Sequence, residues 1–169
     1  LVAGGSGSRF SEEGAPKQFR PINGYRLYIW SLSKLYLNDR VSQIVVTCPE
    51  SYMEEIGREI RDIFPLPKIS LVTGGATRQE SVYRALLKVK DHGAPEHVII
   101  HDAARPFVSA QIIDLAIDTV TTRGACTVAT PVVDTLKVVD GQKIVSTVDR
   151  SRLYAVQTPQ AASRLARIA

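Results

Sequence analysis

The chain has 169 residues, 44% of them hydrophobic and 22% charged, with a net charge of +4 and a pI near 9.2. That is enough apolar material for the core of one domain spanning residues 1–169, which excludes a disordered chain. No apolar run approaches the ~20 residues that cross a bilayer, and the slight basic excess without runs of like charge suits a small anionic ligand better than nucleic acid.

The first stretch, Leu1-Val2-Ala3-Gly4-Gly5-Ser6-Gly7-Ser8-Arg9, breaks from apolar residues into glycines and serines, and Pro16-Lys17-Gln18-Phe19 follows. Glycines let backbone N–H groups approach anionic oxygens, while Arg9 offers a planar fork and Lys17 a point charge. It is not a Walker loop, because Ser8-Arg9 follows Gly7. Nor is it a dinucleotide fingerprint, because Phe10 stands at the third-glycine position. The plain alternative is an ordinary glycine-rich turn with solvated cations.

Helical spacing of Ile29, Leu32, Leu35 and Tyr36 predicts a helix over Tyr25 to Leu37, and Gln43 to Cys48 reads as a buried strand. Ser51-Tyr52-Met53-Glu54 reads as a capping box for a helix reaching Phe64, and Lys68 to Val72 as the next strand. Thr77-Arg78-Gln79-Glu80 is a second capping box, and its helix buries Val82, Ala85, Leu86 and Val89. His97 to His101 predicts a fourth strand, and Ser109 to Thr122 a fourth helix with a face of Ile112, Ile113, Leu115, Ala116, Ile117 and Val120. Ala125 to Val132 predicts a further strand. This alternation implies a mostly parallel sheet covered by helices on both faces, with ligands at the strands' carboxyl ends. The glycine loop, Gly74-Gly75 and His101-Asp102 all follow strands, so they should meet at one cleft. Cys48 and Cys126 each lie in an apolar run without metal-ligand spacing, which predicts core thiols in a reducing compartment and a soluble, cytoplasmic protein.

From Asp134 the texture changes to short strand-like runs over Thr135 to Val139, Lys143 to Val148 and Leu153 to Val156, with Asp140-Gly141 at a hairpin turn. Residues 134–157 are expected to form a protruding β-hairpin arm that contacts a second copy; the alternative is a fold-back onto the edge of the chain's own sheet.

Seven stretches in order carry a resemblance: Ala3 to Arg9; Pro16-Lys17-Gln18; Gly74-Gly75 with Arg78 and Ser81; His101-Asp102-Ala103-Ala104-Arg105-Pro106; Pro131 to Lys137; Thr147-Val148-Asp149-Arg150; and Gln157-Thr158-Pro159-Gln160. Together they resemble the 2-C-methyl-D-erythritol 4-phosphate cytidylyltransferases of the non-mevalonate isoprenoid pathway. The ribitol-5-phosphate cytidylyltransferases share some of these stretches, but the Asp-Ala-Ala-Arg-Pro and Thr-Val-Asp-Arg segments look more like the erythritol enzymes. The resemblance implies a Rossmann-like sheet, transfer of CMP from CTP to methylerythritol phosphate with release of pyrophosphate, Mg²⁺, and a homodimer whose arms complete each other's sites.

By the same resemblance, Arg9 and Lys17 stabilise the pentacoordinate phosphorus and the leaving oxygens, and Arg150 acts with them. Ala3, Gly4, Gly5 and Ser6 lie along the nucleotide, Gly4 standing where the family often has alanine. Gly75 and Ser81 bind cytosine, and Ala76 replaces a frequently acidic residue. Ala103 packs on the ribose, Asp102 holds Mg²⁺, and Arg105, Thr135, Arg150 and Thr158 grip the sugar phosphate. On the residues alone, Asp102 also suits an N-cap or a salt bridge with Arg105, Ser81 a first-turn helix position, and His101 a structural hydrogen bond. Family members continue past Gln160, with a second metal-binding aspartate and a late lysine that have no counterpart here. That difference leaves a second class open, a CTP-binding or structural dimer module without turnover. A dinucleotide-binding oxidoreductase is disfavoured by the missing third glycine.

Overall fold

The computed structural model describes residues 1–4, 16–65, 67–91, 93 and 95–163. Two short strands, β1 (Pro21–Ile22) and β2 (Tyr25–Arg26), pair antiparallel across Asn23-Gly24, whose φ values of 48° and 81° suit the tight hairpin turn that Asn-Gly favours. Tyr25 therefore belongs to a strand, and helix α1 (Leu27–Tyr36) begins two residues later than its periodicity predicts. Its apolar stripe of Tyr28, Ile29, Leu32 and Leu35 is buried.

Strand β3 (Ile44–Cys48) is buried at every position and pairs in parallel with β4 (Ile69–Thr73). Between them lies α2 (Met53–Ile63), entered through a 3-10 turn at Glu50–Tyr52. The capping box expected at Ser51 does not form. The 3-10 turn Glu50–Tyr52 takes Ser51 before the helix begins and leaves Tyr52, whose side chain has no short acceptor, at the cap position without a side-chain hydrogen bond. Helix α3 (Arg78–Asp91) follows β4, and β5 (His97–Ile100) leads to α4 (Ala110–Arg123). Ser109 caps α4 by accepting from Ile112 N, and Gly124 ends it at φ 82°. Only the Ile113, Ala116 and Val120 stripe of α4 is buried, whereas Leu115 is 65% exposed and Ile112 37%. The face is narrower than expected because one i, i+3, i+7 stripe suffices to meet the sheet.

Strand β6 (Ala125–Pro131) is followed by β7 (Lys137–Asp140) and β8 (Lys143–Thr147), an antiparallel hairpin with Gly141 at φ 56° in its turn. Strand β9 (Tyr154–Ser163) is longer than predicted and inserts between β5 and β6, antiparallel to both. Val2 bridges Thr47 on one side and Asp102 on the other, each in parallel. The order across the sheet is thus β4, β3, the Leu1 to Ala3 segment, β5, β9, β6, with β9 the one reversed strand among those described.

The principal core forms where α1, α2 and α4 meet the sheet through Leu32, Val46, Ile56 and Ile113, while α3 packs against β3 and β4 and supplies no residue to that core. Tyr28 donates to Glu59 at 2.7 Å and Arg26 pairs with Glu55, tying α1 to α2; Asn38 donates to Asp114 at 2.8 Å, tying the end of α1 to α4. A cavity of about 300 Å³ is lined by Leu1, Val2, Leu35, Gln43, Leu86, His97 and Ile117 among others, and meets the site below only through the Leu1-Val2 segment. No described helix is long and apolar enough to cross a membrane. Cys48 is fully buried and Cys126 half-buried.

Candidate functional site

The site begins where the Leu1 to Ala3 segment leaves the sheet. Ala3 N donates to Thr47 O at 3.0 Å, and Gln18 Nε2 donates to Ala3 O at 2.7 Å. Gln18 belongs to a 3-10 turn, Lys17–Phe19, anchored by Phe19, which stacks on Tyr52 at 4.4 Å and meets Tyr28 edge-on. With both following residues buried, Lys17 is the exposed member of the turn, presented beside the end of the first segment. Gly5, Ser6 and Arg9 lie outside the described residues.

Gly4 and Gly74 meet backbone to backbone. A Cβ on Gly74 would stand 3.1 Å from Gly4 Cα, and one on Gly4 would stand 2.8 Å from Ser81 Oγ. A larger residue at either position displaces what it touches, so these glycines answer to close approach rather than to turn geometry. Gly4 is matched by a second glycine and a serine across the contact.

The loop from Gly74 to Thr77 is held by its own helix. Gly74 N donates to Cys48 O at 2.8 Å, and Arg84 Nη1 donates to Gly74 O at 3.0 Å. Gly75 N donates to Ser81 Oγ at 3.0 Å, and the Ser81 hydroxyl donates to Thr77 O at 3.0 Å. Glu80 receives Ala76 N at 2.8 Å and Arg84 Nη2 at 2.5 Å, and these bonds hold its carboxyl below the usual range, the Ala76 N–H contributing most. The second capping box forms on one side as predicted, Glu80 N donating to Thr77 Oγ1 at 3.1 Å, while the carboxylate also reaches Ala76. Ser81 is 1% exposed, so its hydroxyl braces the loop from behind, and the Gly75 carbonyl, 3.5 Å from that hydroxyl, is held with it.

At the end of β5, His101 is fully buried and neutral, its pKa pushed down chiefly by burial. The hydrogen bonds fix its tautomer. The Arg105 carbonyl can only accept, so His101 Nε2–H donates to it at 3.0 Å, and Nδ1 of the neutral ring accepts from the Thr158 hydroxyl at 3.0 Å, which itself accepts from Asp102 N at 3.2 Å. The expected structural role for His101 is the one this geometry gives it. Ala103 is fully buried, with its carbonyl accepting from Ser31 Oγ at 2.8 Å and its N–H donating to Val2 O at 3.0 Å.

The Asp102 carboxylate faces two guanidinium groups. Arg78 takes Oδ1 through Nη2 at 2.9 Å and Nε at 3.1 Å, and Arg105 takes Oδ2 through Nε at 3.3 Å. Arg105 also pairs with Gln157 Oε1, and Arg78 reaches Gln160 Oε1 at 3.5 Å. The salt bridge with Arg105 that the residues alone suggested is present. Arg78, Ser31, Arg84 and Gln157 were given no role in the sequence, although Arg78 and Gln157 lie within the stretches that carry the resemblance and Ser31 stands as a serine inside the buried stripe of α1. Thr135 and Arg150 lie exposed near the hairpin, Arg150 donating to Val133 O, and make no hydrogen bond to the described cleft residues.

Among the described residues no group of three His, Cys, Asp or Glu side chains could hold a metal ion. Asp102 suits a hard cation bound by one carboxylate together with ligand phosphates, since Mg²⁺ keeps to few protein oxygens in polyphosphate sites.

A Rossmann-like sheet whose glycine backbones and one carboxylate gather at the carboxyl ends of parallel strands defines an α/β nucleotide-binding class. Within that class, residues 1–166 match the family model described as IspD, 2-C-methyl-D-erythritol 4-phosphate cytidylyltransferase. The chain belongs to that family. It is 39% identical over 162 residues to the 2-C-methyl-D-erythritol 4-phosphate cytidylyltransferase of Bacillus velezensis, covering 95% of this chain and 68% of the relative. It is 36% identical to the bifunctional enzyme IspD/IspF of Desulfotalea psychrophila, covering 97% of this chain and 42% of that one. The Francisella tularensis 2-C-methyl-D-erythritol 4-phosphate cytidylyltransferase crystal structure superposes with a TM-score of 0.73 at 29% identity, covering 96% of this chain and 70% of the other.

Proposed function

We propose that this chain transfers CMP from CTP to 2-C-methyl-D-erythritol 4-phosphate, giving 4-diphosphocytidyl-2-C-methyl-D-erythritol and pyrophosphate. The observation that carries the proposal is the meeting of Gly4, Gly74 and Asp102 at adjoining strand ends in a chain matched to the family over residues 1–166. A phosphate oxygen of the acceptor attacks the α-phosphorus, the bond to the β-phosphate oxygen breaks, and pyrophosphate leaves with that electron pair. Both partners are anions, so the protein's work is positioning and charge neutralisation.

In this proposal the backbone at Ala3 and Gly4 lies along the nucleotide, and Lys17 neutralises the triphosphate together with Arg9. The braced Gly75 carbonyl accepts from the cytosine amino group, with Ser81 fixing the loop. UTP would place a carbonyl against that carbonyl, and an unpaired buried acceptor is costly. Ala103, without side chain beyond Cβ, leaves room for the ribose. Mg²⁺, held by Asp102 and the phosphates, would supply further charge neutralisation at the α-phosphate. Arg105 and Thr158 stand beside Asp102 to receive the sugar phosphate, joined by Thr135 and Arg150 from the arm of a second copy. Val138, Val139, Ile144 and Val145, between 46% and 61% exposed on β7 and β8, support an arm in residues 134–157 that is covered by a partner.

The test is pyrophosphate release from CTP with Mg²⁺ and either methylerythritol 4-phosphate or ribitol 5-phosphate, on the wild type and on Asp102→Asn. Turnover restricted to methylerythritol phosphate and lost in Asp102→Asn supports the proposal. Preference for ribitol phosphate would reassign the acceptor, and CTP binding without turnover of either would leave a nucleotide-binding module.

A further inference from the structure

Arg78 is the first residue of α3, where a cation opposes the helix dipole. Its position is therefore explained by what it reaches across the cleft, and that is Asp102 Oδ1, bonded through two of its nitrogens. The two arginines on Asp102 are not held alike. Arg105 is fixed from three directions: its carbonyl by His101, its N–H by Asp102 O at 3.0 Å, and its side chain by Gln157. Among the described residues Arg78 has, besides Asp102, only the 3.5 Å contact with Gln160, and its side chain is 48% exposed. It is the partner of Asp102 that can leave.

A divalent cation on Oδ1 would sit about 2.1 Å from that oxygen. With Arg78 Nη2 2.9 Å from the same atom, nitrogen and cation could be at most about 5 Å apart. Even with full water screening, repulsion between a double and a single positive charge at that separation weakens binding on the order of tenfold. A cation arriving on a polyphosphate meets a different balance, because the phosphate oxygens offset the guanidinium and offer its fork new acceptors.

We propose that Arg78 is a positioning residue that closes Asp102 to free divalent cation and yields it to cation carried by a nucleotide triphosphate. This rests on the CTP and Mg²⁺ site proposed above. Arg78 thereby sets the order of assembly: nucleotide and cation enter together, and the guanidinium passes from carboxylate to phosphate.

The experiment is a nucleotide-free Mn²⁺ titration followed by the electron paramagnetic resonance signal of free Mn²⁺. The proteins are the wild type, Arg78→Gln, Arg78→Lys, Asp102→Asn and the Arg78→Gln/Asp102→Asn double variant. Arg78→Gln should bind Mn²⁺ about tenfold or more tightly than wild type, given the screened repulsion that it removes. Arg78→Lys, which keeps the charge, should stay near wild type, and the double variant should lose the gain. With CTP present, Arg78→Gln should bind the nucleotide several-fold more weakly. Circular dichroism confirms that each variant is folded, and Arg78→Met serves as a second neutral replacement. Mn²⁺ affinity in both neutral variants no greater than wild type, or a gain that survives Asp102→Asn, overturns the proposal. Turnover by the wild type alongside that result would remove the role of Arg78 and leave the cytidylyltransferase proposal standing.

Discussion

Replacing Thr158 by valine tests whether the end of β5 is held as the structure indicates. Valine fills nearly the same volume, so the change removes one hydroxyl and little else. That hydroxyl accepts from Asp102 N at 3.2 Å and donates to His101 Nδ1 at 3.0 Å, and Thr158 is only 8% exposed. Without it, the Asp102 N–H and the imidazole nitrogen of a fully buried histidine lose their partner together. Each buried polar group left unsatisfied costs about 1–3 kcal/mol, so the pair should cost about 2–4 kcal/mol after partial relaxation. Urea unfolding of wild type, Thr158→Val and Thr158→Ser gives the comparison, with serine restoring the hydroxyl and losing only a methyl, about 1 kcal/mol. Thr158→Val should also lower kcat/KM, because Asp102 and Arg105 are positioned through this chain of bonds. A Thr158→Val protein within about 0.5 kcal/mol of wild type, the range of ordinary surface changes, would refute the reasoning.

Gly74→Ala places a methyl 3.1 Å from Gly4 Cα and 3.1 Å from Ser81 Oγ. It should cost about 1–3 kcal/mol, as overpacking does, and weaken CTP binding measured by calorimetry. Glu80→Ala frees Ala76 N and the Arg84 guanidinium. Because Glu80 is solvent-facing, stability should change little while KM for CTP rises and discrimination against UTP falls; initial rates with both nucleotides decide this. Burial pushes the Cys48 thiol from its ordinary 9.0 up to about 11. Cys48 should resist a thiol-reactive chromophore at pH 8 until urea unfolds the protein. Since its folded pKa is raised, its contribution to stability is full below about pH 9 and is lost as the pH climbs through about 11, which denaturation midpoints across that range would show.

The elements legible in the sequence were those whose information is local. Five consecutive buried positions in β3, the stripe of α1, and Ser109 and Gly124 at the two ends of α4 each declare themselves within a few residues. The β1 to β2 hairpin was equally local, in Asn23-Gly24, but the helical spacing that follows drew Tyr25 into the helix. Only the start of β9, in the run Leu153 to Val156, was legible; its continuation was not, because Gln157-Thr158-Pro159-Gln160-Ala161-Ala162 has neither alternation nor β-branched enrichment. Its place between β5 and β6 is decided by partners some 30 to 60 residues away, through pairs such as Ile99 with Ala161 and Cys126 with Ala161.

The same distinction separates what the motifs conveyed about the site from what they did not. Gly74-Gly75, Ser81 and Asp102 stand out as residue types, but not the direction in which each is used. The Ser81 hydroxyl is spent inside its own loop, and the Asp102 carboxylate is already occupied from two sides. Both facts follow from topology: α3 starts at the end of β4, which β3 and the Leu1 to Ala3 segment separate from β5, so its first residue can cross the cleft that the Leu1 to Ala3 segment floors. A carboxylate at the end of β5 then meets a guanidinium from α3, and β9, inserted beside β5, brings Thr158 to its backbone and Gln157 and Gln160 to the two arginines. The strand least visible in the sequence is thus the one that completes the setting of Asp102, and a substitution in β9 should disturb the site as much as one in the glycine loop.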